Sequence, residues 1–315
     1  MISVLIPTHN PRPDFLDRTL AALRAQTLPA ASWELVLIDN CSRTPLDENL
    51  IAWHPHGRIL SAPTLGLTHA RIAGQDAARG DILVWVDDDN LLASDYLATV
   101  ELAFSENAAL GAVGGKSIPE YESPPPPWYR PDLAPIGCRD LGDTRLDVKW
   151  GRDSTRSYPH FAPLGAGMSI RKQAMTDWVD LVKNDPIRRK FGRTGAALTS
   201  GEDNDINLTL LAAGWSLAYI PGLRLTHLIP ARRLTLDYQR KIARATFRDF
   251  IRVLDIHGIR PWPAIARWTV PLRKAKAWVS LRAWSGPVAS IRWHNACGQI
   301  EGRACMSAPL TTIHS

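Results

Sequence analysis

One segment limits the possible folds of this chain more than any other: residues 83–90 run from an apolar stretch directly into three consecutive carboxylates. The segment reads Leu83-Val84-Trp85-Val86-Asp87-Asp88-Asp89-Asn90. A short apolar run with polar boundaries is typical of a buried central strand. Because buried carboxylates without partners are costly, we expect the Asp residues at the C-terminal end of the strand, facing a cleft. In open α/β sheets, ligands bind at this end of the strands.

The Asp triplet also indicates a cation. Alternation along an extended chain places Asp87 and Asp89 on one side and Asp88 on the other. No basic residue stands next to this pair in the sequence, so its counter-charge must come from elsewhere. A divalent cation that prefers oxygen ligands, Mn²⁺ or Mg²⁺, can supply it and carry phosphate oxygens as well. The alternative is an acidic turn that caps the next helix through Asn90 or Ser94.

Strands and helices alternate along the first half of the chain, which implies βαβ units and a mainly parallel sheet. The pattern predicts strands at 2–6, 33–38, 59–60 and 82–86, and helices at 14–26, 68–78 and 96–107. A less regular half begins at 111–115, with later strands predicted at 164–170, 217–220 and 224–227, and helices at 172–182, 203–213 and 238–257. Residues 117–160 are rich in Pro, Gly and charge, and are predicted as a long functional or disordered loop.

Composition and cysteine usage set the class of protein. A chain of 315 residues can form one large α/β domain or two closely packed halves. The four cysteines have neither Cys-x-x-Cys nor zinc-type spacing, which favours reduced thiols in a cytoplasmic protein. Residues 2–6 already form the first predicted strand, so we expect no signal peptide. No apolar run approaches the ~20 residues that a membrane span requires.

The net charge of +6 is unevenly distributed. The segment 256–300 contains no Asp or Glu, and its basic residues are Arg260, Arg267, Arg273, Lys274, Lys276, Arg282 and Arg292. Its tryptophans are Trp262, Trp268, Trp278, Trp284 and Trp293. Basic residues interleaved with Trp are typical of a surface on an anionic membrane, and we expect peripheral contact with the inner face of the cytoplasmic membrane. The alternative is a helical hairpin whose Trp residues pack inward. No base-reading motif accompanies the charge, so no nucleic acid partner is expected.

Five motifs occur in order along residues 2–230. They are Val4-Leu5-Ile6-Pro7-Thr8-His9-Asn10, Leu37-Ile38-Asp39-Asn40-Cys41-Ser42, Asp87-x-Asp89, Gly165-Ala166-Gly167-Met168-Ser169-Ile170-Arg171 and Gly201-Glu202-Asp203-x-Asp205. This set resembles the family 2 glycosyltransferases, which have the GT-A fold. The resemblance implies an α/β fold with a mainly parallel, Rossmann-like sheet flanked by helices. It divides the chain into a catalytic domain at 1–230, with halves at 1–115 for the nucleotide-sugar and 116–230 for the acceptor, and a helical, basic extension at 231–315.

The resemblance also implies the residues of a donor site. The residues expected to bind the nucleotide-sugar are Pro7, Thr8, Asn10, Asp39, Arg71, Asp87, Asp88 and Asp89. Asp87, Asp89 and His227 are expected to hold Mn²⁺ or Mg²⁺, which neutralises charge on the leaving nucleoside diphosphate. Simpler alternatives remain: a turn-forming Asp39, an Arg71 on a helix surface and a structural His227.

The acidic pair Glu202-Asp203 matches the position from which the family draws a general base. We assign Asp203 as the base that removes the proton from the acceptor hydroxyl, and Glu202 as an acceptor-orienting residue. The alternative is that both stabilise the N-terminus of the following helix. One attacking acceptor and one displaced diphosphate imply a single in-line displacement, with inversion of the anomeric configuration.

The expected activity is therefore metal-dependent, inverting transfer of one sugar from a nucleotide-diphosphate sugar, a UDP-sugar being favoured. The acceptor would be a hydroxyl of a glycan or lipid-linked molecule in cell-surface polysaccharide synthesis. Gln239-Arg240-Lys241-Ile242 departs from the Gln-x-x-Arg-Trp motif of processive synthases, so one sugar per binding event is expected. The alternatives are a sugar-phosphate nucleotidyltransferase, which would need a Gly-rich basic loop after the first strand, and a catalytically silent membrane-surface scaffold. No Gly-x-Gly-x-x-Gly follows the first strand, which argues against a dinucleotide-binding oxidoreductase.

Overall fold

The computed structural model describes residues 1–152, 155–195 and 198–306. The chain divides into two compact units. The first comprises Met1–Pro124, Gly137–Ala197 and Glu202–Ala231, and the second comprises Pro125–Ile136, Leu198–Gly201 and Arg232–Ser315. No helix within the described ranges has the length and apolarity needed to cross a membrane. All four cysteines are free thiols, as the sequence predicts.

The first unit contains a mixed β-sheet and its flanking helices. The strands are β1 (Ile2–Thr8), β2 (Trp33–Asp39), β3 (Gly57–Ser61), β4 (Ile82–Trp85), β5 (Asn90–Leu92), β6 (Leu110–Tyr121), β7 (Leu146–Lys149), β8 (Ser169–Arg171) and β9 (Ser216–Ile229). The helices are α1 (Pro13–Arg24), α2 (Leu67–Ala77), α3 (Tyr96–Glu106), α4 (Lys172–Asn184) and α5 (Glu202–Ala212). The strand order is β3-β2-β1-β4-β8-β6-β9-β5, and β7 pairs with β9.

The predicted parallel half of the sheet is confirmed. Strand β1 pairs in parallel with β2 and β4, and β2 pairs in parallel with β3. Alternate residues of these strands enter opposite cores: Val4 and Ile6 pack with helices α1 and α3, whereas Leu5 packs with α2, α4 and α5. A sheet buried on both faces explains why these strands are continuous apolar runs.

The second half of the sheet differs from the prediction. Residues 164–170 were expected to form a strand, but only Ser169–Arg171 does so, antiparallel to β4 and β6. The two strands expected at 217–220 and 224–227 form a single strand, β9, in which a register shift against β6 accommodates Pro221. Part of the expected long loop is also ordered, because β6 extends to Tyr121 and β7 lies within it.

The second unit is helical, with α6 (Leu236–Ile256), α7 (Val270–Ser280) and α8 (Pro287–Ala304). Ile242 and Ala243 of α6 share a small core with Ile291 of α8. Helix α8 lies so close to α6 that a Cβ atom on Gly298 would collide with the carbonyl oxygen of Arg244. The remaining helix, α7, contributes no buried residue.

Candidate active site

Polar residues gather where the strands of the first unit end. In the parallel pairing of β1 with β2, Thr8 lies opposite Asp39. Strand β4 ends beside β1, and the Asp triplet follows it after Val86. The antiparallel pairing of β5 with β9 then sets Asn90 opposite His227. The topology therefore brings three of the predicted motifs to one edge of the sheet.

The three consecutive carboxylates have different partners. The Thr8 hydroxyl donates a hydrogen bond to Oδ2 of Asp88, which ties the triplet to the end of β1. On the other side, burial and, secondly, the negative charge of Asp89 raise the pKa of Asp87. Asp89 also accepts a hydrogen bond of 3.1 Å from Nδ2 of Asn90. The alternation expected for an extended chain is not present, because Asp88 and Asp89 lie in a turn that the N–H of Asn90 closes with a 3.0 Å hydrogen bond to the carbonyl oxygen of Asp87.

Positive charges surround the Asp87 carboxyl. Its pKa is raised mainly by burial and secondly by the neighbouring Asp89, while Arg71, His227 and Arg193 act in the opposite direction. A carboxylate that is still destabilised despite nearby cations lies in an electrostatically strained position. Such positions concentrate at functional sites.

Asp89 and His227 are in direct contact across β5 and β9. Nε2 of the imidazole lies 3.3 Å from Oδ1 of Asp89. The other ring nitrogen, Nδ1, lies 3.4 Å from the carbonyl oxygen of Gly137 and 3.6 Å from Sγ of Cys138. When Nδ1 donates to the carbonyl, Nε2 presents a lone pair to a carboxylate, which requires a proton or a metal ion between them.

This contact has the spacing of two neighbouring ligands of one cation. An octahedral Mg²⁺ or Mn²⁺ with ligands at about 2.1 Å sets adjacent donor atoms about 3 Å apart. Within the described ranges, no three His, Cys, Asp or Glu side chains form a group that could hold a metal ion. The predicted trio of Asp87, Asp89 and His227 is therefore not a complete protein cage. It fits a cation that takes its remaining ligands from substrate phosphates and water.

Arg71 connects this cluster to the acidic start of α5. Its Nε atom lies 3.0 Å from Oε1 of Glu202, and the two side chains are only 3% and 4% exposed. Its guanidinium also lies 5.5 Å from the ring centroid of Trp85. Among the described residues, Nη1 of Arg71 has no hydrogen-bond partner. A buried guanidinium with an unused donor is suited to bind an anion such as a phosphate.

Glu202 is enclosed by its partners. The Thr68 hydroxyl donates a hydrogen bond to Oε2 of Glu202. Burial raises the pKa of Glu202, while Arg71 and the Thr68 hydrogen bond oppose that effect. A Cβ atom on Gly192 would collide with both Thr68 Oγ1 and Glu202 Oε2, so only glycine fits there. This placement favours a positioning role for Glu202 over direct contact with an acceptor.

Asp203, the next residue, is more open. It is half-buried, and its Oδ2 accepts a hydrogen bond of 3.2 Å from the backbone N–H of Gly165. A Cβ atom on Gly165 would lie 3.0 Å from Nη2 of Arg71, so Gly165 stands between the Arg71 guanidinium and Asp203. Behind it, Asp205 accepts hydrogen bonds from Trp178 and Arg188, which anchors the first turn of α5. The structure thus places Asp203 near Arg71, with the backbone of Gly165 between them.

The residues predicted to bind the nucleobase form a hydrogen-bonded edge. Pro7 is buried within β1. Oδ1 of Asp39 accepts a 2.9 Å hydrogen bond from the N–H of Ser42, three residues on, so the turn-forming role considered as an alternative is present. Oδ1 of Asn10 accepts one of 2.9 Å from the N–H of Arg43, which joins the two loops. Asn10 has a φ of +50°, which is uncommon for a residue other than glycine.

Sequence reasoning missed several residues of this site. Asn40 donates to the carbonyls of Ala62 and Thr64 and accepts a 2.7 Å hydrogen bond from the N–H of Gly66, so it fixes the loop before α2. Thr68 and Arg193 were missed as well. The spacing of Thr68 and Arg71 on α2, one helical turn apart, was the one signal available for Thr68.

Known proteins resemble this chain in sequence and in fold. The family model described as Glycosyl transferase family 2 matches residues 3–164. An N-acetylglucosaminyltransferase of Mesorhizobium japonicum is 24% identical over 271 residues, covering 81% of this chain and 58% of that protein. One of Rhizobium meliloti is 22% identical over 280 residues, covering 84% and 60%. The chain thus spans less than two thirds of the length of these relatives.

Solved structures share the fold at low sequence identity. The crystal structure of S. aureus TarS 1-349 superposes with a TM-score of 0.52 at 14% identity, covering 96% of this chain and 89% of that one. The same fragment has been crystallised in complex with UDP-GlcNAc. The crystal structure of GalNAc-T7 with UDP, GalNAc and Mn²⁺ gives a TM-score of 0.53 at 17% identity, covering 96% and 55%. These likenesses establish the predicted GT-A fold.

Proposed function

Because the chain belongs to glycosyl transferase family 2, we propose that it transfers a single sugar from a nucleotide-diphosphate sugar to a hydroxyl group. One observation carries the proposal. Arg71 acts electrostatically on Asp87 of the Asp–His cluster and also contacts Glu202, next to Asp203 on α5. The buried guanidinium of Arg71 would then connect the residues that bind the donor with the residues that activate the acceptor.

A UDP-linked N-acetylhexosamine is the donor that we propose. Two relatives that cover most of this chain are named N-acetylglucosaminyltransferases. TarS, which shares the fold, was crystallised with UDP-GlcNAc, and GalNAc-T7 with UDP, GalNAc and Mn²⁺. In this chain, Asp39 would receive the base at the end of β2, together with Pro7, Thr8 and Asn10 on the neighbouring strand and loop.

The diphosphate would lie between Arg71, Arg193 and the Asp triplet. The unused Nη1 donor of Arg71 supports this placement, because it can bond to a phosphate oxygen without breaking the contact with Glu202. Asp89 and His227 would hold Mn²⁺ or Mg²⁺, with Asp87 beside them; when bound, this cation neutralises negative charge on the leaving diphosphate. Glu202 keeps Arg71 oriented, and the Asp88 to Thr8 hydrogen bond fixes the start of the triplet.

Asp203 would act as the general base. Its carboxylate receives the proton of the acceptor hydroxyl as the hydroxyl oxygen bonds to the anomeric carbon and the bond to the diphosphate breaks. The Gly165 N–H holds Oδ2 of Asp203, which orients the carboxylate for this proton transfer. A single displacement of this kind inverts the anomeric configuration. The acceptor class that we propose is a glycan or lipid-linked hydroxyl in cell-surface polysaccharide synthesis, glycosylated once per binding event.

A donor panel tests this proposal. The full chain is incubated with UDP-GlcNAc, UDP-GalNAc, UDP-glucose and GDP-mannose, each with Mn²⁺ or with a chelator, and release of free nucleoside diphosphate is followed. We expect Mn²⁺-dependent release of UDP, highest for one of the N-acetylhexosamine donors. Release of pyrophosphate from UTP and a sugar 1-phosphate would instead indicate a nucleotidyltransferase. Absence of both reactions and of UDP binding would contradict the proposal.

A further inference from the structure

Helix α7 exposes large apolar side chains on one face. Trp268, in the short 3-10 turn before the helix, is 76% exposed, Leu272 is 68% exposed and Val279 is 61% exposed. At about 100° per residue, Leu272 and Val279 lie within roughly 20° of one another around the helix axis, and Trp268 stands in the 3-10 turn before the helix. Leu272 and Val279 therefore share one face of α7, and together with Trp268 they make up the apolar stripe. An exposed stripe of this kind indicates an interaction site.

The opposite face of α7 is already packed against α8. The indole Nε1 of Trp293 donates a hydrogen bond of 3.0 Å to the carbonyl oxygen of Lys274. The Lys274 ammonium pairs with Glu301. Trp293 is thus the tryptophan of segment 256–300 that packs inward, whereas Trp262, Trp268, Trp278 and Trp284 are exposed. The apolar stripe therefore lies on the side of α7 that does not pack against α8.

Basic residues border the apolar stripe. Lys276 lies one turn beyond Leu272, and Arg273 flanks it. Among the described residues, no carboxylate forms an ion pair with Arg273, Lys276 or Arg282. In the turn after α7, Trp284 forms a tilted ring pair with Trp278 of α7, with centroids 4.6 Å apart. The same turn also forms a cavity of about 550 Å³ whose lining includes Arg282 and Arg292.

We propose that this face, the α7 surface (Trp268, Leu272, Arg273, Lys276 and Val279), docks onto a lipid bilayer that contains anionic phospholipids. The occupant follows from charge: residues 256–300 contain seven basic residues and no acidic one, so the surface complements a negatively charged plane. Trp side chains favour the depth of the lipid headgroups, and the apolar stripe would insert just below them. This inference does not depend on the chemistry at the candidate active site.

Co-sedimentation with liposomes tests the inference. The full chain is mixed with vesicles of phosphatidylcholine alone, or with 30 mol% phosphatidylglycerol, at about 0.1 M and 0.5 M salt. We expect binding to the anionic vesicles, little binding to the neutral ones and release at high salt. The variant Arg273→Glu/Lys276→Glu should bind at least roughly 25-fold more weakly, since each basic residue near such a surface contributes about fivefold.

Matched control variants separate the contribution of the α7 surface from the effects of net charge and of exposed apolar residues elsewhere. Lys149→Glu/Lys190→Glu changes the net charge equally but at exposed residues of the first unit, and it should bind more tightly than the α7 charge variant. Leu272→Ser/Val279→Ser should also lose binding, whereas Leu102→Ser, which alters an exposed leucine on α3, should not. Circular dichroism melts verify that each variant is folded.

Two outcomes would overturn the inference. In the first, the α7 variants bind anionic vesicles as tightly as the unaltered chain does. In the second, sedimentation velocity shows a dimer that Leu272→Ser/Val279→Ser dissociates, which would mean that a second copy covers the α7 surface. Loss of vesicle binding in both α7 variants with retention in both controls would support it.

Discussion

Arg71 should be essential for stability as well as for donor binding. Its pair with Glu202 is almost completely buried, so solvent screening does not reduce the interaction. Removing one partner of a buried ion pair leaves an uncompensated charge and costs about 3–5 kcal/mol. We therefore expect Arg71→Met to lower the free energy of unfolding by that amount at pH 8, as measured by urea denaturation.

Neutralising Glu202 as well should restore part of the stability that Arg71→Met loses. In Arg71→Met/Glu202→Gln, no buried charge remains, and the Gln side chain can still accept the hydrogen bond from Thr68. We expect this double variant to recover roughly 2–3 kcal/mol of the loss in the single variant. As a control, Arg145→Met removes an exposed guanidinium that pairs with Asp147, and it should change stability by no more than about 0.5 kcal/mol.

The loss of unfolding free energy in Arg71→Met should also depend on pH in a defined direction. Burial already raises the pKa of Glu202, and removing Arg71 raises it further. A carboxyl with a raised native pKa destabilises the fold increasingly as pH rises from its unfolded pKa through its native one. Arg71→Met should therefore be less destabilised at pH 5 than at pH 8. A cost below about 1 kcal/mol at pH 8, or a double variant no more stable than the single one, would refute this reasoning.

Two further predictions concern the carboxylates. Asp203→Asn should retain UDP affinity but reduce sugar transfer by a factor of order 10² or more; equal losses in calorimetric affinity and in turnover would instead place Asp203 at the donor. Asp87→Asn should melt at a higher temperature than the unaltered chain at pH 8 without metal, because burial and Asp89 raise the pKa of Asp87. That difference should vanish near pH 4, and a lower melting temperature at both pH values would contradict it.

The sequence predicts the first half of the fold because its signals there are local. Strands β1 and β4 are buried apolar runs that end in polar residues, and such runs are recognisable without any tertiary information. Strands β5 and β7 are short, and each forms by antiparallel pairing with β9. The two strands predicted at 217–220 and 224–227 form one strand, β9, because a register shift against β6 accommodates Pro221.

The candidate site, like the fold, is predictable where the signal is local and not where it depends on tertiary contacts. The motifs identify Asp87, Asp89 and Asp203 from their neighbours in sequence. The enclosure of Glu202 by Thr68 and Arg71 could not be predicted, since it depends on how α5 docks against α2. Glu202 and Asp203 are adjacent in sequence, yet one is sealed in a buried pair and the other is half-buried. Local sequence cannot separate two neighbouring carboxylates that tertiary contacts place in different environments.

Calorimetric titration of UDP tests the central claim most directly. The account predicts that the full chain binds UDP at one site in the presence of Mn²⁺ and that a chelator largely removes this binding. Asp89→Ala should bind UDP at least about tenfold more weakly, because it removes the oxygen ligand next to His227. Asp143→Ala, which alters an exposed carboxylate paired with Lys116, serves as the control and should bind normally. Unchanged UDP affinity in Asp89→Ala, with the same dependence on Mn²⁺, would contradict the account.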